Sequence, residues 1–251
     1  MFAPSVYLFG LTNGPFLFII KPMRSIWRTL DRGLLRDVAL VCLADGVVGL
    51  SYGAISVGGG FQLWVPVVLS LLVFAGASQF LFVGIVAAGG SPVAALIAGL
   101  LVNTRHVAFG LALSDVLGKG WQRVVASHLL IDETTAFALG QDEYRRRRAA
   151  YWACGIGIFV SWNLGVLLGA AAGSVITDTD AFGLDAAFPA VLLALVLPSL
   201  RDRSTRTAAL VGVGVALAAT PFLPAGLPVL LALVGLIFYR AERPVLEPEA
   251  V

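Results

Sequence analysis

Residues 71–106 read LLVFAGASQFLFVGIVAAGGSPVAALIAGLLVNTRH, and this stretch decides the class of the chain. Two strongly apolar runs are joined by a glycine- and proline-containing turn at 89–92. Each run carries a small polar insert, which lies at 75–79 in the first run and at 103–106 in the second. A polar or ionisable side chain at membrane depth is costly unless it faces a partner or a water-filled cavity. The stretch therefore predicts membrane helices whose polar inserts mark a site or a transport path.

The composition of the whole chain agrees with this class. Of its 251 residues, 59% are hydrophobic and only 13% are charged, and the mean hydropathy is +0.91. A soluble domain carries charge on about a quarter of its residues. The backbone polar groups of an apolar run must be satisfied internally in lipid, which favours helices. We therefore predict an all-α integral membrane protein with the architecture of a polytopic helical bundle.

The apolar segments predict about seven or eight transmembrane segments, some of them broken. They cover residues 37–57, 62–88, 93–117, 121–140, 149–173, 186–200, 207–222 and 226–239. The segment at 121–140 is the least apolar, and the number of crossings falls to seven if it only lies at the interface. The stretches 60–73 and 183–196 share glycine, proline and apolar positions at one constant offset. This similarity indicates either an internal repeat or a chance match in apolar sequence.

The expected domain organisation is a single transporter domain over 37–240. It follows an N-terminal extension over 1–36 and precedes a cytoplasmic tail over 241–251. The basic lead-in after Met23 favours a natural start at that methionine.

Basic residues predict the orientation, because short loops rich in Lys and Arg stay in the cytoplasm. Eight crossings with both termini inside put the major basic clusters, including Arg145–Arg148, in the cytoplasm and the acidic loop at 178–185 outside. Lys119 and Arg123 then fall on the outer side, against the rule. In this interpretation Arg145–Arg148 serve only as a topology anchor.

Candidate substrate-binding residues lie inside apolar segments or at their polar inserts, where lipid tolerates them poorly. They are Asp45, Ser78, Gln79, Asn103, Arg105 and His106. Asp45 is expected to bind an ammonium group or a proton, although pairing with Arg105 would give it a structural role. Arg105, Asn103 or the backbone at 76–78 is expected to bind a carboxylate. The alternatives are a snorkelling arginine and a satisfied core histidine.

A second set of candidates is a proton relay formed by His128, Asp132 and Glu133. His128 and Asp132 are four residues apart, so a single helix would place them one turn apart. An aspartate beside a histidine suits proton transfer near neutral pH. The alternative is a charged amphipathic helix packed on the surface.

The small residues at 75–78 have two interpretations. They form either a close-packing helix face with Gln79 as an interhelical hydrogen-bonding group, or a helix break with exposed backbone. One straight helix over 62–88 would be roughly 40 Å long, which exceeds a hydrocarbon core of about 30 Å. Tilt or a break is therefore expected.

Several function classes lack sequence support. There is no basic patch interleaved with aromatic residues, so a nucleic-acid partner is not expected. No CxxC, HExxH or P-loop pattern is present, so neither a metal nor another cofactor is predicted, and enzymatic activity is not expected. Cys42 and Cys154 lie in apolar runs and are predicted to be buried small side chains rather than a disulfide.

Three stretches carry a family resemblance: LLVFAGASQF at 71–80, LLVNTRHVAFG at 100–110 and LIDETTAFAL at 130–139. With them the chain resembles the AzlC family, the large subunit of branched-chain amino-acid exporters. It departs from that pattern at Ala44-Asp45-Gly46, where an uncharged, proline-containing stretch is expected.

The resemblance implies a secondary transporter that exports small hydrophobic amino acids across the bacterial cytoplasmic membrane, driven by an ion gradient. It also implies a separate, small AzlD-type membrane subunit as partner. A membrane-embedded enzyme and a passive channel remain the alternatives.

Overall fold

The computed structural model describes residues 29–175, 199–223 and 227–239, together with Leu193 and Leu197. All regular elements in this part of the chain are helices, so the predicted all-α class is confirmed. The α-helices are α1 Arg32–Gly58, α2 Trp64–Val73, α3 Gly76–Ala87, α4 Pro92–Asn103, α5 Arg105–Ala112, α6 Trp121–His128, α7 Asp132–Leu139, α8 Tyr144–Val175, α9 Arg203–Ala219 and α10 Leu227–Leu231. Two 3₁₀ helices span Ser199–Arg201 and Ala232–Phe238.

Several expectations lie outside the described residues. These are the start of the chain, the acidic loop at 178–185, the second stretch of the possible repeat at 183–196 and the tail over 241–251. The segment at 186–200 also falls largely outside them. The domain boundaries expected from the sequence stay a prediction.

Three helices among the described residues are long and apolar enough to cross a membrane. They are α1, the nearly continuous pair α4–α5 over Pro92–Ala112, and α8 over Tyr144–Ser174. The predicted segments at 37–57 and 149–173 correspond to α1 and α8. Helices α2 and α3 are shorter apolar helices that together replace the predicted segment at 62–88.

The chain forms two compact units. Among the described helices, the first unit holds α2, α5–α8 and α1 up to Val57, and the second holds α9, α10, α3 from Ala77 and α4 up to Val102. Two of the points at which the chain passes between the units lie at the polar inserts, between Gly76 and Ala77 and between Val102 and Asn103.

In the first unit, α1 and α8 cross at a seam of glycines contributed by both helices. A β-carbon on Gly165 would overlap the carbonyl oxygen of Gly46, and one on Gly169 would overlap that of Leu50. A β-carbon on Gly53 would likewise overlap the carbonyl oxygen of Val166. Small residues let membrane helices approach until their backbones touch, which is the main source of association in lipid. These glycines therefore set the separation of the two long helices.

The segment at 121–140 is not one long helix, which favours the arrangement with fewer crossings over the eight-crossing scheme. Helices α6 and α7 have 8 residues each, so each is only about 12 Å long. Arg147 Nη1 lies 3.4 Å from Asp115 Oδ2, so the chain returns after α7 to the level from which it left. The segment also does not lie on the surface of the protein, since Ala126 and Thr134 are completely buried in the first unit. This contact between Arg147 and Asp115 is consistent with Lys119 lying on the same side as Arg145–Arg148, an arrangement that would agree with the charge rule.

The second unit has a small apolar core of Ile85, Ala95 and Ala98, which packs α3 against α4. Its C-terminal part is held by another glycine contact, because a β-carbon on Gly235 would overlap the carbonyl oxygen of Ala208. Helix α9 begins after Asp202, whose carboxylate accepts the N–H of Thr205 at 2.6 Å. Such a cap satisfies one of the free amides of a first helical turn.

Candidate functional site

The polar insert at 103–106 is a break between α4 and α5. Val107 donates its N–H to the carbonyl of Thr104, three residues back, at 3.0 Å. The carbonyl of Asn103 lies 3.1 Å from Nδ1 of His106. The turn is therefore tightened locally, and the imidazole of His106 contacts the Asn103 carbonyl. Breaks of this type inside a helix are frequent at functional positions.

Arg105, the first residue of α5, forms an ion pair with Asp132, the first residue of α7. Nη2 of Arg105 lies 2.8 Å from Oδ2 of Asp132, and the two side chains are 35% and 44% exposed. The partner of Arg105 is therefore Asp132 and not Asp45. An acidic residue at the start of a helix is also favoured by the helix dipole.

Further ionisable groups gather around this ion pair. The carboxyl of Glu133 interacts electrostatically with Asp132 and Arg105, and also with Asp45 from the middle of α1. His106 interacts with Arg105 and Asp132. Oδ2 of Asp45 is buried and has no hydrogen-bond partner among the described residues. We call this group the charge cluster; it consists of Asp45, Arg105, His106, Asp132 and Glu133. Asn103 adjoins it through its contact with His106.

The charge cluster contains three carboxyl groups and one guanidinium. Arg105 compensates one carboxylate directly, which leaves Asp45 and Glu133 without a cation of their own within the cluster. Uncompensated carboxylates in low-dielectric surroundings are costly. The arrangement is therefore suited to binding a cation.

His128 does not lie one helical turn from Asp132, which corrects the geometry expected for the relay. Helix α6 ends at His128, α7 begins at Asp132, and the three residues between them are not helical. The imidazole instead packs against two phenylalanines, with ring centroids 6.0 Å from Phe74 and 5.7 Å from Phe159. The face predicted for a single helix over 121–140 does not exist, because the chain turns between its two halves.

The insert at 75–79 is preceded by a second helix break. Helix α2 ends at Val73 and α3 begins at Gly76. Between them, Phe74 has a φ of 27°, which is a strained value for a residue with a side chain. Phe74 is 4% exposed, and its ring packs edge-on against Phe159 at 5.1 Å. The predicted helix break is confirmed.

The close-packing interpretation of the small residues also holds, at Gly76. A β-carbon on Gly76 would lie 2.9 Å from the ring of Trp162, so a larger residue does not fit. Trp162 stacks on Tyr52, with centroids 6.0 Å apart. Next to it, Asn163 accepts a hydrogen bond from Ser70 at 2.7 Å. The contribution of Ser70 and Tyr52 was missed from the sequence, because a lone polar residue in an apolar run does not reveal its partner.

Ser78 and Gln79 belong to the second unit, apart from the charge cluster. They lie in the first turn of α3 and are 4% and 1% exposed. Both amide atoms of Gln79, Oε1 and Nε2, are buried without a hydrogen-bond partner among the described residues. The side chain of Ser78 faces α4, since a β-carbon on Gly99 would lie 3.5 Å from its Cβ.

The start of α8 is tied to the start of α1 outside the spanning segments. Arg146 Nη2 lies 2.6 Å from Asp31 Oδ2, and the N–H of Leu34 donates to Asp31 Oδ1 at 2.9 Å. These contacts, the Leu34 amide first, hold the pKa of the Asp31 carboxyl below its usual value. Two of the four arginines at 145–148 thus pair with acidic side chains.

Apolar helices long enough to cross a bilayer, with charged side chains gathered at helix breaks, define a polytopic α-helical membrane protein with an internal polar site. A model of one family, described as AzlC protein, matches residues 40–176. The match covers more than half of the chain and includes every residue of the charge cluster. The chain belongs to the AzlC family.

Individual relatives agree with this assignment. An uncharacterized membrane protein of Archaeoglobus fulgidus is 31% identical over 189 residues, which cover 74% of this chain and 83% of the relative. The branched-chain amino acid transport protein AzlC of Bacillus subtilis is 22% identical, with 76% and 77% covered. The inner membrane protein YgaZ of Escherichia coli is 31% identical, with 61% and 62% covered. No solved structure gives a significant match.

Proposed function

We propose that the chain is a secondary transporter that exports small hydrophobic amino acids of the branched-chain type across the bacterial cytoplasmic membrane. The support is membership of the AzlC family, whose Bacillus subtilis member is named a branched-chain amino acid transport protein. In this proposal the chain is the large subunit of a two-component exporter, and a small AzlD-type membrane protein is its partner. Ser78, Gln79 and Asn103 are the substrate-side candidates that we retain.

The charge cluster is the observation that carries the proposal. Charged groups in spanning segments are rare, and they usually belong to substrate paths or proton relays. Here Asp45 on α1 and Glu133 on α7 share one neighbourhood with an arginine that Asp132 already pairs. Helix packing does not require the carboxyl groups of Asp45 and Glu133. A transporter coupled to an ion gradient does need such groups, because a cation must bind and leave in each cycle.

We propose that this cation is a proton and that Asp45 and Glu133 carry it. Neither carboxyl group has a cation of its own within the charge cluster, so binding a proton removes a negative charge that burial makes costly. Arg105 and Asp132 then form a fixed pair that holds the Asn103–His106 turn against α7, and His106 lies within reach of the same charges. His128, enclosed by two phenylalanines, contributes to packing at the helix break rather than to the relay.

The test is counterflow in proteoliposomes that contain both subunits. We expect saturable exchange of L-leucine and L-valine and, with an imposed pH gradient, uphill movement. Asp45→Asn keeps the size of the side chain but binds no proton, so exchange should persist while pH-driven accumulation is lost. Asp37→Asn, on the exposed surface of the same helix, is the matched control and should behave as wild type.

Four outcomes would contradict the proposal. Folded wild-type protein without saturable amino-acid movement would exclude the substrate class. Flux that does not saturate would favour a passive channel, and conversion of the added solute to another compound would favour an enzyme. Loss of exchange as well as accumulation in Asp45→Asn would instead assign Asp45 to the ammonium group of the substrate.

A further inference from the structure

The first turn of α3 contains a buried amide whose polar atoms are not satisfied by the protein. Gln79 is 1% exposed, and neither Oε1 nor Nε2 has a hydrogen-bond partner among the described residues. A buried polar group without a partner destabilises the folded state, so such groups are few and have a reason. A glutamine amide carries both a donor and an acceptor. It can therefore bind a ligand that has both kinds of group.

The position of Gln79 adds backbone donors to this amide. The first four N–H groups of an α-helix have no acceptor within the helix, and they carry the positive end of its dipole. Gln79 is the fourth residue of α3, and side chains on a helix lean back toward its N-terminus. The break at Phe74 and Ala75 separates this turn from the carbonyls at the end of α2. The amide and the N–H groups of Gly76 and Ala77 thus lie at the same end of one helix.

We propose that the first turn of α3 binds the charged head group of a zwitterionic amino acid, an inference that rests on the proposed function. Nε2 of Gln79 and the N–H groups of Gly76 and Ala77 bind the carboxylate, and Oε1 accepts a hydrogen bond from the ammonium. Helix N-termini at breaks bind anionic groups of substrates by the same physics. Arg105 is not needed for the carboxylate, since it is already paired with Asp132.

The surroundings of Gln79 suit the aliphatic part of such a ligand. Phe80 and Val83 are 0% and 1% exposed, and Val83 follows Gln79 by one helical turn on the same face. The apolar core of Ile85, Ala95 and Ala98 lies further along α3 and α4 in the same unit. A polar head at the end of the helix and an apolar body along its face match a branched-chain amino acid.

The experiment compares Gln79→Leu and Gln79→Glu with wild type in the two-subunit proteoliposomes. We expect the KM for L-leucine to rise about 10- to 100-fold in Gln79→Leu, the loss expected for hydrogen bonds to a charged group. Gln79→Glu should lose exchange further, because it places a negative charge beside the carboxylate. Gln62→Leu, at an exposed glutamine just before α2, is the matched control and should keep the wild-type KM.

Two further measurements separate ligand binding from a structural role. Without substrate, Gln79→Leu should unfold at the wild-type temperature or above, because it removes an unsatisfied buried amide. Added L-leucine should raise the unfolding temperature of the wild-type protein but not that of Gln79→Leu. Wild type should also prefer L-leucine to leucinamide, which lacks the carboxylate, and Gln79→Leu should lose this preference.

These experiments distinguish failure of this inference from failure of the proposed function. Wild-type transport with an unchanged KM in Gln79→Leu would overturn the inference and leave the proposed function intact. A Gln79→Leu protein that unfolds at a lower temperature than wild type, with its preference for L-leucine kept, would give Gln79 a structural role instead. Absence of wild-type amino-acid transport would overturn both.

Discussion

At the scale of single residues, Phe74 shows how the fold sustains a strained conformation. A positive φ at a non-glycine residue costs about 1–3 kcal/mol and persists only where the surroundings impose it. Here the ring is buried between His128 and Phe159, so the packing of the side chain holds the backbone in place. The strained residue follows the last residue of α2, Val73, and a new helix, α3, begins at Gly76. A helix N-terminus is thereby created inside an apolar region.

This explanation predicts an inverted order of stability for two substitutions. Phe74→Ala and Phe74→Gly both remove the ring, at a cost of about 3–5 kcal/mol. Only glycine adopts the left-handed backbone without strain, so Phe74→Gly should be the more stable of the two by about 1 kcal/mol. The measurement is the unfolding temperature of the purified proteins in detergent.

The matched control is the same pair of substitutions at Phe159, which packs against Phe74 but lies inside α8. There the usual helical order should hold, with Phe159→Ala more stable than Phe159→Gly by about 1 kcal/mol. An identical order at both positions would mean that the backbone at Phe74 is not strained.

At the scale of helices, the seam between α1 and α8 determines how closely the two long spanning helices approach. Lipid is as apolar as the helix surfaces, so association depends on packing and not on the hydrophobic effect. Gly165 and Gly169 of α8 face the backbone of α1 at Gly46 and Leu50. This contact also fixes the height at which α1 presents Asp45, because Gly46 is its neighbour in the chain.

The glycine seam predicts that replacing one of its glycines by alanine, the smallest possible enlargement, destabilises the protein. Gly169→Ala adds one methyl group that overlaps a backbone carbonyl, so the helices must separate, at a cost of about 1–3 kcal/mol. Gly214→Ala in α9 is the control, because a β-carbon there meets nothing within 4 Å. It should stabilise the protein by about 0.5–1 kcal/mol, as alanine does in a helix interior. Thermal unfolding in detergent measures both, and a Gly169→Ala protein as stable as wild type would refute the close contact.

At the scale of the whole molecule, the surface charges and the ion pairs together determine the topology. Asp31 and Asp115 are both tied to the arginines at the start of α8, so three separate stretches of the first unit lie on one side. The segment at 121–140 leaves from this side and returns to it. The charge rule assigns this side to the cytoplasm.

This topology predicts the labelling of two engineered cysteines. In a background without Cys42 and Cys154, Lys119→Cys and Arg145→Cys should both react with a membrane-impermeant maleimide from the cytoplasmic side, since both positions are exposed. The eight-crossing scheme places them on opposite sides instead. Inside-out and right-side-out vesicles distinguish the two arrangements. Labelling of the two positions from opposite faces would restore the crossing at 121–140.

The sequence by itself determined the membrane class, most of the helical segments and the polar inserts at which helices break. These properties are local, because the cost of burying a charge or an unsatisfied amide in lipid depends on the residues of one segment. The family was also recognisable from three short stretches, around Gln79, Arg105 and Asp132. The sequence therefore selects candidate residues, but it does not reveal their contacts.

The tertiary structure alone decided which candidates meet. It paired Arg105 with Asp132, brought Asp45 within electrostatic range of Glu133, and placed His128 between two phenylalanines. It also divided 121–140 into two short helices that begin and end on one side. Such partners lie on different helices, and no periodicity within one segment encodes them. They depend on how closely α1 and α8 approach and on where the chain turns, which are consequences of packing.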